Sequence, residues 1–204
     1  MSVSEDREVT PAVSPAAPAV SIADPGPLGL AAFALTTFLL SAFNAHWTSG
    51  NSAGTAWLGY AFAYGGLVQL LAGMWEFRRG NVFAATAFSS YGGFWLGLFV
   101  WLRVAPSATG HDLGWILFAF AIFNAYMLLM ATQVNLAVFG VFLTLELTEI
   151  VLVIGNFTGG TGGISQIGGY LGVITAAVAW YTSAAGVSAG IGGKIRLPVG
   201  NPLI

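Results

Sequence analysis

The chain has no cysteine, a single lysine, Lys194, and two histidines, His46 and His111. Without cysteine it can form no disulfide framework, thiol nucleophile, thiolate metal site or iron–sulfur cluster. Lys194, His46 and His111 all fall outside the long apolar runs, which excludes a Schiff-base lysine, a histidine zinc site and a Ser–His dyad at membrane depth. Charge is scarce altogether: Asp, Glu, Lys and Arg make up 7% of the 204 residues, against roughly a quarter in ordinary soluble domains. A net charge of −2 spread over short loops gives a polyanion no footing, so no nucleic-acid partner is expected. Nor is an enzyme, a cofactor or a metal centre.

What the chain does have is apolar sequence, 56% of its residues. Residues 1–23 alternate Pro, Ala, Ser and Val, with Pro11, Pro15 and Pro18 interrupting any apolar run. They read as a disordered cytoplasmic tail rather than a secretory signal. Six runs follow at 28–45, 57–75, 82–102, 113–132, 136–155 and 167–187, each near the ~20 residues a helix needs to cross hydrocarbon. Twelve of the fourteen charged residues lie outside these runs. The expectation is an all-α integral membrane protein with a six-helix domain over 24–190 and a cytoplasmic C-terminal tail over 191–204. Trp47, Trp57, Trp75, Trp101 and Trp115 fall near span ends, as an aromatic belt requires. Arg7, Arg78, Arg79, Lys194 and Arg196 share the side of the termini, with only Arg103 opposite, so the positive-inside rule puts both termini in the cytoplasm of a plasma (inner) membrane.

Many of the 28 glycines lie inside spans, among them Gly92, Gly168, Gly169 and Gly172, where they allow helix backbones to approach closely. SAFNA at 41–45 recurs as AIFNA at 121–125, and GGFWLG at 92–97 resembles GGYLG at 168–172. These offsets map spans one to three onto four to six and predict an inverted 3+3 repeat.

Polar residues line up within the spans. Phe33, Thr37, Ser41 and Asn44 share one face of span one, which makes either a polar path beside an aromatic ring or a set of hydroxyls bonded back to carbonyls. Glu146 and Glu149 lie three residues apart on one face of span five, placed either to relay protons or to hydrogen-bond between helices. Asp24 and Pro25 read as the N-cap and first residue of span one, and Glu76, beside Arg78 and Arg79, reads as a surface pair.

The segments DPGPLGL at 24–30, YGGLVQLLAGMWEFRRGNVF at 64–83 and FSSYGGFW at 88–95 resemble the signature stretches of the acetate uptake transporter family. IGN at 154–156 and LPVG at 197–200 fit as well, so the resemblance covers nearly everything after the tail. It implies six helices per subunit, a homohexamer in membrane lipid with a pore through each subunit, and passage of acetate, succinate and other small carboxylates. It also implies a hydrophobic constriction, which falls on Phe33, Tyr91 and Leu145. The chain departs from the family pattern at Asp24, where Asn is usual, at Gly26, where Ala is usual, and at Glu146 and Glu149, where neutral side chains are expected.

A small carboxylate is ionised at neutral pH, yet no span holds Lys or Arg. Permeation must then use hydroxyl and amide donors, helix dipoles or the neutral acid. The candidate donors are Thr36, Thr37, Ser41, Asn44, Gln69, Ser90, Tyr91 and Asn124, with Glu146 and Glu149 as a proton relay. A pore for a neutral solute such as an amide or ammonia, and a membrane sensor or scaffold, are the alternatives.

Overall fold

The computed structural model describes residues 22–48, 56–105, 107, 109–159 and 163–204. The expected N-terminal tail lies outside the described residues except for its last two. All regular structure among the described residues is helical: α1 Gly26–Asn44, α2 Ala56–Tyr60, a π-helical stretch Ala61–Val68, α3 Gln69–Arg79, α4 Val82–Val104, α5 Gly110–Ala131, α6 Leu136–Phe157 and α7 Ile164–Gly190. Five of these, α1 and α4 to α7, are long and apolar enough to cross a membrane. Their outer faces carry exposed Leu, Ile, Val and Phe side chains, as helices facing hydrocarbon do.

Helix ends overrun the apolar runs because polar caps extend them. Asn81 Oδ1 accepts from the Ala84 N–H at 3.2 Å, and Asn135 Oδ1 from the Val138 N–H at 2.9 Å. Thr109 and Asp112 form a capping box that starts α5 and draws His111 into its first turn, out of the loop expected for it. Gly80, at φ 80°, ends α3 in the left-handed conformation. The N-cap of α1 is Pro25 rather than Asp24. Asp24 sits one residue further out because its carboxylate accepts from the Gly26 N–H at 2.9 Å and pairs with Arg79 at 2.5 Å.

The helices pack α5 on α6, α6 on α7, α7 on α1 and α1 on the rod made of α2, the π stretch and α3, which in turn packs on α4. Glycines set these contacts. Gly73 meets Ser89, Gly92 faces the Leu70 backbone, and Gly169 faces the backbone of Ser41 and Asn44. The π stretch was not expected. It lies where the Thr36 hydroxyl donates to Tyr60 O at 3.4 Å, and Gly65 leaves room for the Thr36 side chain. An acceptor that an α-helical ladder would use is thus engaged by a neighbouring helix, and the ladder is wider there.

Trp47, Trp75 and Trp115 are exposed near helix ends. Trp57 is buried with Leu58, Ala61, Trp95 and Leu98, so it belongs to the core and not to the belt. Residues 191–204 form no further helix and dock back on the bundle. Ala137 N–H donates to Val199 O at 2.9 Å, Leu203 N–H to Thr132 O at 2.7 Å, and the Tyr181 hydroxyl to Pro198 O at 2.7 Å. Gly200, at φ 73°, lies against Leu136, so a side chain there would be strained and crowded at once.

A Cβ at position 169 would sit 2.8 Å from both Asn44 C and Ser41 O, backbone atoms that cannot swing aside, whereas one at 93 meets nothing within 4 Å. Gly169→Ala is expected to destabilise the protein by about 1–3 kcal/mol, read as a lowered Tm in detergent, with Gly93→Ala unchanged.

Candidate functional site

Two cavities lie inside the bundle. The larger, about 340 Å³, opens toward the end where α3 meets α4 and is lined by Asp24, Gln69, Glu76, Phe142, Leu197 and Val199 among others. The smaller, about 50 Å³, lies toward the other end and is lined by Thr37, Ser41, Asn44, Thr148 and Glu149, with Trp95 and Leu117. Phe33, Tyr91 and Leu145 line both cavities and are 4%, 4% and 7% exposed. They form the wall between the two. The Phe33 and Tyr91 ring centroids are 5.7 Å apart, and Phe94, Phe120 and Phe123 surround the far side of Tyr91 at 5.4–6.5 Å. Three helices place the wall: α1 brings Phe33, α4 brings Tyr91 and α6 brings Leu145.

Tyr91 is the one wall residue with a polar atom, and its hydroxyl heads a buried network. It donates to Asn124 Oδ1 at 2.9 Å and lies 3.4 Å from Glu149 Oε1. The Asn124 amide nitrogen donates to Phe142 O at 2.9 Å and to Glu146 Oε2 at 2.7 Å, so its hydrogens are fully used. Three helices, α4, α5 and α6, are therefore tied through one asparagine. Glu149 Oε2 has no hydrogen-bond partner, and the residue lines the smaller cavity, while Glu146 is half-buried and lines neither cavity.

Most hydroxyls in the spans bond back to carbonyls of their own helix, including Thr36, Thr144, Thr148, Thr175 and Thr182. Those that do not are informative. Thr37 Oγ1 and Glu149 Oε2, of residues lining the smaller cavity, are buried without a hydrogen-bond partner, as are Gln69 Oε1 and both Glu76 carboxylate oxygens, of residues lining the larger. In hydrocarbon an unpaired polar atom is costly, so a polar occupant of the cavity is the natural partner for each.

Thr37, Ser41, Asn44 and Gln69 thus line a cavity, as expected of them, and Asn124 reaches the wall through Tyr91 without lining either cavity. Thr36 and Ser90 line neither. Thr36 is fully buried against the second rod, donating to Ala32 O at 3.0 Å as well as to Tyr60 O, which makes it a packing residue. Glu76 is corrected from a surface pair to a buried wall residue: it is 1% exposed, and Arg79 is 3.6 Å from its Oε2. Gln69 and Glu76 are seven residues apart, two turns along one face, a spacing that marks the shared cavity in the sequence. The approach of Leu197 and Val199 carries no comparable local signal.

The GPR1/FUN34/yaaH family model matches residues 6–200. The chain belongs to this family. The kinship expected from the motifs at 24–30, 64–83 and 88–95 therefore holds. Ammonia transport outward protein 2 of Saccharomyces cerevisiae is 40% identical over 190 residues, covering 88% of this chain and 66% of the yeast protein. The chain thus spans a little under two thirds of that relative's length. The Succinate-acetate/proton symporter SatP of Escherichia coli is 33% identical over 186 residues, 88% of this chain and 96% of the relative. The solved structure of the bacterial acetate channel SatP superposes with a TM-score of 0.81 at 32% identity, covering 88% of this chain and all of that one. Relatives carrying these names are transporters or channels, and this member of the family is an integral membrane protein.

Tyr91→Phe removes the one donor to Asn124 Oδ1 among the described residues and leaves a buried acceptor unpaired. It is expected to cost about 1–3 kcal/mol, seen as a lower Tm, with Asn124→Leu in the same background recovering part of the loss.

Proposed function

We propose that the chain carries acetate and related small carboxylates across a membrane, through a pore in each subunit whose constriction is Phe33, Tyr91 and Leu145. One observation supports this above the others: two largely apolar cavities, each with a few polar side chains in its lining, approach each other from opposite ends of the bundle and share those three side chains as a thin wall. The names of the relatives support the same substrate class. In this reading the protein is not an enzyme. Thr37, Ser41, Asn44 and Gln69 offer the solute hydrogen bonds on its path, and Glu146 and Glu149 handle a proton.

In this reading the rod formed by α2, the π stretch and α3 is a sixth crossing, supported by its length of roughly 35 Å. Six crossings put 1–23 and 191–204 in the cytoplasm of a plasma (inner) membrane, and 24–190 is the transmembrane domain. The 3+3 repeat is supported by the packing: in each half the first crossing packs on the second and the second on the third. Gly92 and Gly168, equivalent in the repeat, both receive a leucine of the preceding crossing, Leu70 and Leu152. Assembly as a homohexamer belongs to the same proposal. A second reading, passage of a neutral solute such as ammonia, is favoured by the absence of Lys and Arg from the described residues that line the two cavities, and by the name of the yeast relative.

Uptake of labelled acetate into liposomes containing the purified protein tests the first reading. Flux well above that of empty liposomes is expected; swelling in ammonia or acetamide without acetate flux favours the second. Leu145→Ala removes a wall side chain that is 7% exposed. It is expected to admit larger monocarboxylates, measured as the ratio of butyrate to acetate uptake rising above that of the parent.

A further inference from the structure

Glu149 is 5% exposed, and the apolar wall beside it gives no reason for a carboxyl. Among the described residues its surroundings hold no cation. Tyr91 faces it from α4, Glu146 is its neighbour on α6, and α1 and α7 contribute only Thr37, Ser41, Asn44 and Thr175. On α5, Asn124 stands behind Tyr91, and Tyr126 is exposed on the bundle surface. Arg103 and His111 lie about three turns or more along α4 and α5 from Tyr91 and Asn124.

Counting hydrogens fixes the state of this carboxyl. Asn124 spends both amide hydrogens on Phe142 O and Glu146 Oε2, so its Oδ1 needs a donor, and Tyr91 is that donor. The Tyr91 hydroxyl has one proton, and at 2.9 Å against 3.4 Å it goes to Asn124. Nothing remains to compensate a negative charge on Glu149, whose Oε2 has no partner at all. An ionised carboxylate in that position would be both buried and unpaired.

We propose that Glu149 is a neutral carboxylic acid that binds the permeating carboxylate in the smaller cavity by donating to it the proton on Oε2. This deepens the transport reading and rests on it. The solute supplies the acceptor that Oε2 lacks, and two carboxyl groups sharing one proton satisfy each other where two anions would repel. Transfer completes the step. The O–H bond on Glu149 breaks as one forms on the solute, which becomes the neutral acid able to cross the apolar wall of Phe33 and Leu145. Glu149 is left ionised and now draws the Tyr91 hydroxyl away from Asn124, so the wall's one polar side chain changes partner each time the proton moves. A proton from the aqueous side of the smaller cavity restores the acid. Asn124 is the positioning residue of this cycle, holding Tyr91 between turnovers.

Two measurements on the purified protein in liposomes decide it. In infrared difference spectra with ¹³C-labelled acetate, the parent at neutral pH is expected to show the C=O stretch of a protonated carboxylic acid that shifts on acetate addition and is missing in Glu149→Gln. In acetate uptake, Glu149→Gln is expected to lose roughly tenfold in rate, equivalent to about 1.4 kcal/mol, together with its response to an imposed proton gradient. Glu149→Asp keeps the acid and therefore keeps that response at a lower rate, which separates loss of the proton from loss of the fold. A parent that takes up acetate yet shows no acetate-sensitive acid band overturns the proposal and leaves the transport reading intact. So does a Glu149→Gln protein as fast and as proton-responsive as the parent. A parent that moves no acetate overturns both.

Discussion

The interior of this bundle contains no cation among its described helices, and most of its chemistry follows from that. In hydrocarbon a polar atom must find its partner within the protein. Threonines in α1, α6 and α7 do so by donating to their own helix carbonyls, which makes them inert. Among the buried polar atoms that escape this self-satisfaction, those of Thr37, Gln69, Glu76 and Glu149 belong to residues that line a cavity, while those of Thr48, Trp57 and Ser89 do not. An anion entering such a space meets no basic side chain at the wall. Its charge has to be met by hydroxyls and amides or removed by a proton.

The two ends of the path are built differently. At the mouth of the larger cavity Arg79 pairs with Asp24 and lies 3.6 Å from Glu76, one guanidinium beside two carboxyl groups, so its positive charge is already engaged and does not draw an anion in. Asp24 stands where the family pattern has Asn, and the ion pair explains how a carboxylate is accommodated at that mouth. Leu197 and Val199 from the docked C-terminal segment close part of the same rim. The smaller cavity has no ion pair among its lining residues; its polar groups are neutral side chains and the Glu149 carboxyl, set among Phe33, Leu40, Phe94, Leu117, Leu145 and Leu152.

The positions of the five helices long and apolar enough to cross a membrane were legible in the sequence because hydrocarbon imposes composition directly: charges at the ends, about twenty apolar residues between them. The motif resemblance pointed to Phe33, Tyr91 and Leu145, and the structure brings these three together on one wall. What periodicity could not read was relation between helices. Thr36 and Thr37 are adjacent in sequence and differ by about 100° around the helix, and only the packing of the second rod reveals that Thr36 meets Gly65 while Thr37 meets a cavity. Trp57 and Glu76 were misread for a related reason. Each sits at a span end where exposure is the ordinary expectation, and each is buried by a partner from elsewhere in the chain, Trp95 in one case and the helix start at Asp24 in the other. The π stretch depends on Thr36 meeting Tyr60 O, 24 residues away, which no local pattern contains.

In the proposed reading, control of the wall passes through Tyr91. Phe33 and Leu145 offer only dispersion contacts, which do not respond to charge, so neither can sense a proton or a solute. Tyr91 has one hydroxyl hydrogen and two oxygens within reach, Asn124 Oδ1 and Glu149 Oε1, and it can serve only one of them fully. The choice depends on the charge of Glu149. Asn124 in turn is held by Glu146, so the two glutamates act on the same tyrosine from opposite ends of one hydrogen-bonded chain, Glu146 by keeping Asn124 in place and Glu149 by competing for its donor. A neutral pair of side chains at 146 and 149, as the family pattern expects, would leave Tyr91 bonded to Asn124 whatever the pH. In the proposed reading the two carboxyls therefore link protonation to the state of the wall that Tyr91 shares with Phe33 and Leu145.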